Sequence, residues 1–304
     1  SGNPLALKIV ATTIYNLFNN TIADFLAQIK QETAVYGDIR ALLDQQFERL
    51  SNLEKRVMYW LAINRDPVLL TNLRDDIPIP ESSMRLLEAV ESLSRRSLIV
   101  GASDSGKLSQ LPVIMEYMTE QLIEEITAEI KQLLEQSEDA AFSWKKLRFL
   151  NSYSLVKAEA LDHIRRAQQK EILEPIKTKL LDLYEMDLEA QIRRSFDRLR
   201  GQPFIKKGYA IGNLINLLCQ MQSSAPQADL SGRDFSALTI WRAYLKNVKL
   251  QDTSFTNADL SGSVFAEILG LASLVSVQYS PNGQFFATGV GDGEIRLWQA
   301  ADNK

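Results

Sequence analysis

Every fifth residue from Leu230 to Phe265 is large and apolar: Leu230, Phe235, Ile240, Leu245, Leu250, Phe255, Leu260 and Phe265. The positions two before them (Ala228, Arg233, Leu238, Ala243, Val248, Thr253, Ala258 and Ser263) are mostly small or apolar. A five-residue period fits neither the 3.6 of a helix nor the 2 of an alternating strand. It requires a backbone that turns at a fixed interval and sends each large side chain toward a shared axis. Phe235, Leu245, Leu250, Phe255 and Leu260 are therefore expected inside, with Lys246, Lys249, Gln251 and Asn257 in solvent. Such units bury their apolar face only against neighbouring units.

Residues 1–222 read as mostly helical and 225–300 as β, with a break at Ser223-Ser-Ala-Pro-Gln227, which suits neither a helix interior nor a central strand. Few contacts are expected to cross that break. Ser51 followed by Glu54 forms a capping box before Leu53, Val57, Trp60 and Leu61, which share one helical face. A short helix over 69–76 ends before Pro78. A third begins at Ser82 or Ser83 and turns Leu86, Leu87, Val90 and Leu93 inward. Ser97-Leu-Ile-Val100 and Lys107-Leu-Ser-Gln-Leu111 then read as a hairpin around Gly101 to Gly106. From Met115 to Met221 the period is helical, interrupted by Pro175 and by Gly201-Gln-Pro203. Arg193, Arg194, Arg198, Arg200, Lys206 and Lys207 interleave with Glu185, Asp187, Glu189 and Asp197, which describes a solvated helix face.

A net charge of -4 and a pI near 5.3 argue against a basic nucleic-acid-binding surface. No run approaches about 18 apolar residues, so no membrane span is expected. Cys219 sits in an apolar helical run and reads as an inert buried thiol, and His163, the single histidine, as a surface residue. Asp75-Asp76 and Glu124-Glu125 read as helix-end or solvated charges. Gly101 to Lys107 falls one residue short of the phosphate-binding pattern Gly-x-x-x-x-Gly-Lys-Ser/Thr, because Leu108 stands where the metal-binding hydroxyl is needed. No metal site is expected.

Ala228-Asp-Leu-Ser-Gly232 and Ala258-Asp-Leu-Ser-Gly262 resemble units of the pentapeptide-repeat family. The resemblance implies four units per coil of a right-handed β-helix, hence two coils over 226–267, capped by the preceding helices and the following segment. Val275 to Trp298, with Pro281-Asn282-Gly283, Asp292 and Ile295-Arg-Leu-Trp298, resembles one WD repeat, a single blade of a propeller that needs about four to eight. Gly2-Asn3-Pro4-Leu5-Ala6-Leu7 resembles the Gly-x-Pro-Leu/Ile-Ala-Leu motif of NB-ARC NTPases of the STAND class, which continue into a small helical subdomain and a winged helix. That resemblance implies an adenine contact for Pro4. It also places Glu116, in Met115-Glu116-Tyr117, where relatives carry the phosphate-sensing histidine of Met-His-Asp. Gly208 to Leu218 resembles the end of the helical spacer in large bacterial signalling proteins of this class.

The expected fold is multidomain α+β, mostly α-helical. It comprises a remnant helical subdomain (1–47), a winged helix (48–120), a helical spacer (121–222), a short pentapeptide β-helix (226–267) and a first WD-type blade (268–304). With no initiator methionine and an end six residues after Trp298, the chain reads as a segment of a longer protein. The expected function is the non-catalytic regulatory and linker part of a cytoplasmic STAND-class signalling NTPase. ADP or ATP with magnesium would bind only in the longer protein, an upstream nucleotide-binding module would be the intramolecular partner, and a protein ligand would bind the propeller. A DNA-binding winged helix and a passive interaction scaffold are the alternatives. The first is weakened by Glu81, Glu88 and Glu91 beside Arg85, Arg95 and Arg96 on the third helix.

Overall fold

The computed structural model describes residues 35–78, 81–101, 106–135, 144–184, 187–200, 208–223, 227–265, 274–279, 285–290 and 295–299. Pro4, the start of the expected helical subdomain, Lys206, Lys207, the Pro281 turn and Asp292 lie outside those residues. After α1 (Val35–Glu48), α2 (Asn52–Asn64) opens with the expected box: Ser51 Oγ accepts from Glu54 N, and Glu54 accepts from Ser51 N at 2.7 Å. Leu53, Val57, Trp60 and Leu61 are buried, and so are Met58, Tyr59, Ala62 and Ile63. A helix apolar all round must lie at the centre of its domain.

β1 (Val68–Leu69) runs into α3 (Leu70–Asp76), and α4 (Ser83–Arg95) follows, capped by Ser82 Oγ, which accepts from Arg85 N. Leu86, Val90 and Leu93 are buried, but Leu87 is not: it is 42% exposed, and Ala89 takes the inward place beside Val90. β2 (Val100–Gly101) and β3 (Lys107–Ser109) form the expected antiparallel hairpin, and β1 adds a third strand in the order β1-β3-β2. Two residues are too few for an alternating pattern, which is why β1 escapes the sequence. Lys107 begins a strand rather than a helix, so the phosphate-loop geometry is not present there.

α5 (Pro112–Glu135) runs unbroken through the expected boundary at 120/121. Ile114, Met118, Leu122, Ile126 and Ile130 form one buried stripe that packs on α2, so both proposed domains share this helix. After a 3-10 turn (Trp144–Leu147), α6 (Arg148–Ser152) has no capping side chain of its own. Glu129 of α5 supplies one: its two oxygens accept from Phe149 N and Leu150 N, both at 2.8 Å. Burial nevertheless pushes the Glu129 carboxyl from the ordinary 4.5 up to about 7, against the pull of those two donors. The folded chain therefore binds a proton that the unfolded chain has lost over this interval. The resulting stability is full below about pH 4.5 and fades as pH rises through about 7. Glu129→Gln should flatten that slope in urea titrations run across the interval.

α7 (Asp162–Gln168) passes through a π turn (Gln169–Leu173) into α8 (Glu174–Tyr184). Pro175 does not interrupt this helix as expected. It lies just past the π turn, where the changed hydrogen-bond spacing accommodates a residue with no N–H. α9 (Leu188–Leu199) and α10 (Ala210–Met221) complete the helices.

From Ala228 the chain winds in four-sided coils of 20 residues. β4 (Ala228–Asp229) pairs in parallel with β5 (Val248–Lys249), and the other three sides are joined by parallel bridges Asp234↔Ser254, Thr239↔Asp259 and Tyr244↔Val264. Leu230 N donates to Lys249 O, Phe235 N to Ser254 O and Ile240 N to Asp259 O, at 2.7–2.9 Å. Leu230, Phe235, Ile240 and Leu245 are at most 1% exposed; Leu250, Phe255 and Leu260 are half-buried, and Phe265 is 38% exposed. The first coil is covered and the second is the open end of the described stack. Two residues past each apolar centre the backbone turns left-handed, at Gly232, Ala237, Arg242, Asn247, Asp252, Asn257 and Gly262, with φ of 51° to 69°. A β-carbon costs roughly 1–2 kcal/mol in that conformation. Ala237→Gly, at an exposed corner, should therefore raise the unfolding free energy by about 0.5–1 kcal/mol in chemical denaturation.

β6 (Leu274–Tyr279), β7 (Phe285–Val290) and β8 (Ile295–Gln299) form the expected three-stranded antiparallel unit, in the order β6-β7-β8.

Candidate functional site at the junction of helices and coils

The expected separation of the coils from the helices is not observed. α9 and α10 cover the first coil, because that coil's outer residues are themselves aromatic and charged. Phe196 of α9 packs edge-on against Phe235, with ring centroids 5.5 Å apart. Arg233 reaches Glu189 at 2.9 Å, and Arg200 reaches Asp234 at 2.9 Å and donates to Ser236 O. Arg193 and Arg194 do pair with the interleaved acids, Glu189 and Asp187. Arg200 bonds Asp197 too, so two residues of the expected solvated face, Glu189 and Arg200, serve the coil.

The run from Gly208 to Leu218 explains how a helix comes this close. A β-carbon on Gly212 would stand 3.2 Å from Ala243 Cβ and 3.3 Å from Trp241 O, so a side chain there would push α10 off the coil. One residue on, the buried Asn213 is fully occupied. Its Oδ1 accepts from Leu155 N, and its Nδ2 donates to Leu150 O and Tyr153 O. Tyr209 stacks between Trp60 and Trp241 at 5.5 and 4.7 Å, continuing an aromatic file from Tyr153 through α2 into the coil.

Beside that file lies a buried polar cluster. Asp75 and Asp76 both stand at the end of α3, as expected, but only Asp75 is in solvent: Asp76 is 4% exposed. Lys157 Nζ donates to Asp76 Oδ2 at 2.7 Å and to Asn64 Oδ1 at 2.6 Å, and Asn64 Nδ2 donates to Asp76 Oδ2 at 3.2 Å. Tyr209 Oη donates to the Asp76 carbonyl at 2.8 Å. Arg242, on a left-handed corner of the first coil, donates to Asp75 O at 3.1 Å and stands 3.7 Å from Asp76 Oδ1, its guanidinium lying over Trp241. Gln168 closes the cluster, accepting from Lys157 N and donating to Ile63 O. Burial pushes the Asp76 carboxyl up, while Lys157 and Asn64 pull it back. Five separate stretches of helix and loop, at Asn64, Asp76, Lys157, Gln168 and Tyr209, thus meet one corner of the coil around a nearly buried carboxylate.

Glu116, the one expected site residue among those described, is exposed on α5, while its neighbour Tyr117 is buried and donates to Asp44 at 2.7 Å. His163 is exposed and 3.3 Å from Asp66, and the half-buried Cys219 thiol is pushed up to about 12 by burial, as an inert thiol should be. Among the described residues no group of acids, histidine and cysteine could hold a metal ion, and no helix is long and apolar enough to cross a membrane.

The pentapeptide-repeat family matches residues 228–266 with eight copies. An uncharacterized WD repeat-containing protein of Nostoc sp. (strain PCC 7120) is 39% identical over the whole chain, which spans 25% of that protein's length. A second uncharacterized WD repeat-containing protein of the same organism is 35% identical over 49% of the chain and 9% of its own length. No solved structure matches the chain.

Proposed function

We propose that this chain is the non-catalytic regulatory and linker portion of a STAND-class signalling NTPase. In this reading α2 to α4 with the β1-β3-β2 sheet act as a winged helix, the coils as a pentapeptide β-helical stalk, and β6–β8 as a WD blade that contributes to a protein-binding propeller. The observation that carries the proposal is the contact of Arg242 with the end of α3, beside the buried Asp76 carboxylate. A load arriving through the coil meets the helices at a polar cluster rather than at a flexible linker. Matches to pentapeptide repeats and to WD repeat-containing proteins support the interaction role. Nucleotide chemistry, with ADP or ATP and magnesium, belongs to a module outside this chain, toward which Pro4 would contribute an adenine contact and Glu116 a surface position.

The outward face of α4 favours a protein contact over DNA. Met84 is 67% and Leu87 42% exposed, with Glu88 and Glu91 exposed among them. A groove-reading helix needs an excess of cations there, whereas Arg85 is paired with Glu81 and Arg95 is offset by Glu88 and Glu91.

One pair of titrations tests the division of labour. Calorimetry of this chain with ADP, and with magnesium and ATP, should show no binding tighter than about 1 mM, since the described residues form no phosphate cradle. Joined to its nucleotide module the protein should bind ADP, and Arg242→Ala should change the ADP release rate. Micromolar binding by this chain alone, or a release rate indifferent to Arg242, would contradict the proposal.

A further inference from the structure

A cleft of about 540 Å³ opens where α7, the π turn and α10 face the edge of the first coil. Small-molecule sites usually fall in the range of about 300–1,000 Å³. Three features of its lining suit a polar, anionic ligand.

The first is Asn216. It is 5% exposed and lines the cleft, yet among the described residues its amide makes no hydrogen bond. Its nitrogen and oxygen are not among the sealed unpartnered atoms, so both are free to meet a molecule in the cleft. Its neighbour Asn213, three residues earlier on α10, makes three such bonds.

The second is the pair Arg166 and Lys170, one helical turn apart on the wall of the cleft and exposed to it. On the same continuous helix Arg165 pairs with Asp162, Lys177 with Glu174 and Lys179 with Glu124. Arg166 and Lys170 have no ion pair among the described residues.

The third is the state of the one acid in the cleft. Glu174 already accepts from Lys177 at 2.6 Å and from Gln220 Nε2 at 2.7 Å, so its charge is answered before a ligand arrives. The lining is therefore net cationic, and it also carries the Asn216 amide and the apolar Leu173 and Val248.

We propose that this cleft binds a small phosphorylated sugar. Arg166 and Lys170 would take the phosphate, a dianion that suits two adjacent cations. The Asn216 amide would take a hydroxyl, and the apolar wall would take the carbon face of the ring. Because α7 and α10 line one side and the coil the other, an occupied cleft ties helices and coil together more tightly.

The test is calorimetry of the full chain with glucose 6-phosphate and ribose 5-phosphate, against inorganic phosphate and glucose. At least one sugar phosphate should bind at least about tenfold more tightly than either control. Arg166→Ala with Lys170→Ala, both on the surface, should weaken that binding at least tenfold with thermal unfolding unchanged. Asn216→Ala should weaken sugar phosphate and leave inorganic phosphate as it was. Equal affinity for phosphate and sugar phosphates, binding indifferent to the double variant, or no binding of either sugar phosphate at about 10 mM would each overturn the proposal. So would displacement of the sugar phosphates by an oligoglutamate peptide at lower concentration.

Discussion

Replacing Phe235 with alanine is expected to lower the unfolding free energy by about 3–5 kcal/mol, the usual cost of deleting a buried phenyl ring through lost transfer energy and the cavity left behind. The ring is 1% exposed and faces two ways: it stacks on Phe255 of the second coil at 5.7 Å and meets Phe196 of α9 at 5.5 Å. The loss should therefore be shared. Circular dichroism, which follows the helices, and hydrogen exchange of the coil amides, read by mass spectrometry, should report one transition at a lowered urea midpoint. Phe255→Ala, at a half-buried position nearer the open end, should cost less. A Phe235→Ala variant that melts the coil and leaves the helical transition where it was would restore the independent stalk expected from the sequence.

Asp76→Ala should be about as damaging, roughly 3–5 kcal/mol, for a different reason. Lys157 donates to Asp76 and Asn64 from a site 18% exposed, and Arg242 leans on the same carboxylate. Without Asp76 both cations lose their counter-charge in a place that water reaches only in part, 18% of Lys157 and 24% of Arg242 being exposed, and a partner left alone costs more than the pair contributed. That asymmetry supplies the control. Asp76→Leu combined with Lys157→Met removes both charges and should be less destabilising than Asp76→Ala alone, as measured by urea midpoints. A double variant that loses as much as the sum of its parts would mean that the cluster is held by packing rather than by charge.

How much of this could be read from the chain depends on the distance over which each residue finds its partner. The five-residue period was legible because a coil repeats its environment, so each apolar centre announces the next. The capping box at Ser51 and Glu54 was legible because both partners lie within one turn. Asp76 was not. Its partner Lys157 is 81 residues away, and Asp75, with the same chemistry, looks identical beside it. A usable signal did exist at Arg242. It occupies the corner where Gly232, Asn247, Asp252, Asn257 and Gly262 stand, and a bulky cation in a left-handed conformation implies a compensating contact. The same corner rule changes the expectation for Asn257, whose backbone is constrained even though its side chain is in solvent. The covered first coil was missed because the proline-containing break at 223–227 marks a change of structure and says nothing about packing across it. Trp241, beside the repeat centre Ile240, was the residue that could have suggested an aromatic neighbour.

The central claim is that the helices and the first coil form one mechanical body, joined at Asp76, Arg242, Tyr209 and Trp241. Native-state hydrogen exchange read by mass spectrometry tests it most directly. The amides of Leu230, Phe235 and Ile240, which bond across to the second coil, should open with the same free energy as those at the centres of α2 and α10. Asp76→Ala should lower protection in both places together. Coil amides that open several kcal/mol below the helices, with protection unmoved by Asp76→Ala, would show that the coil is carried by the helices without being coupled to them.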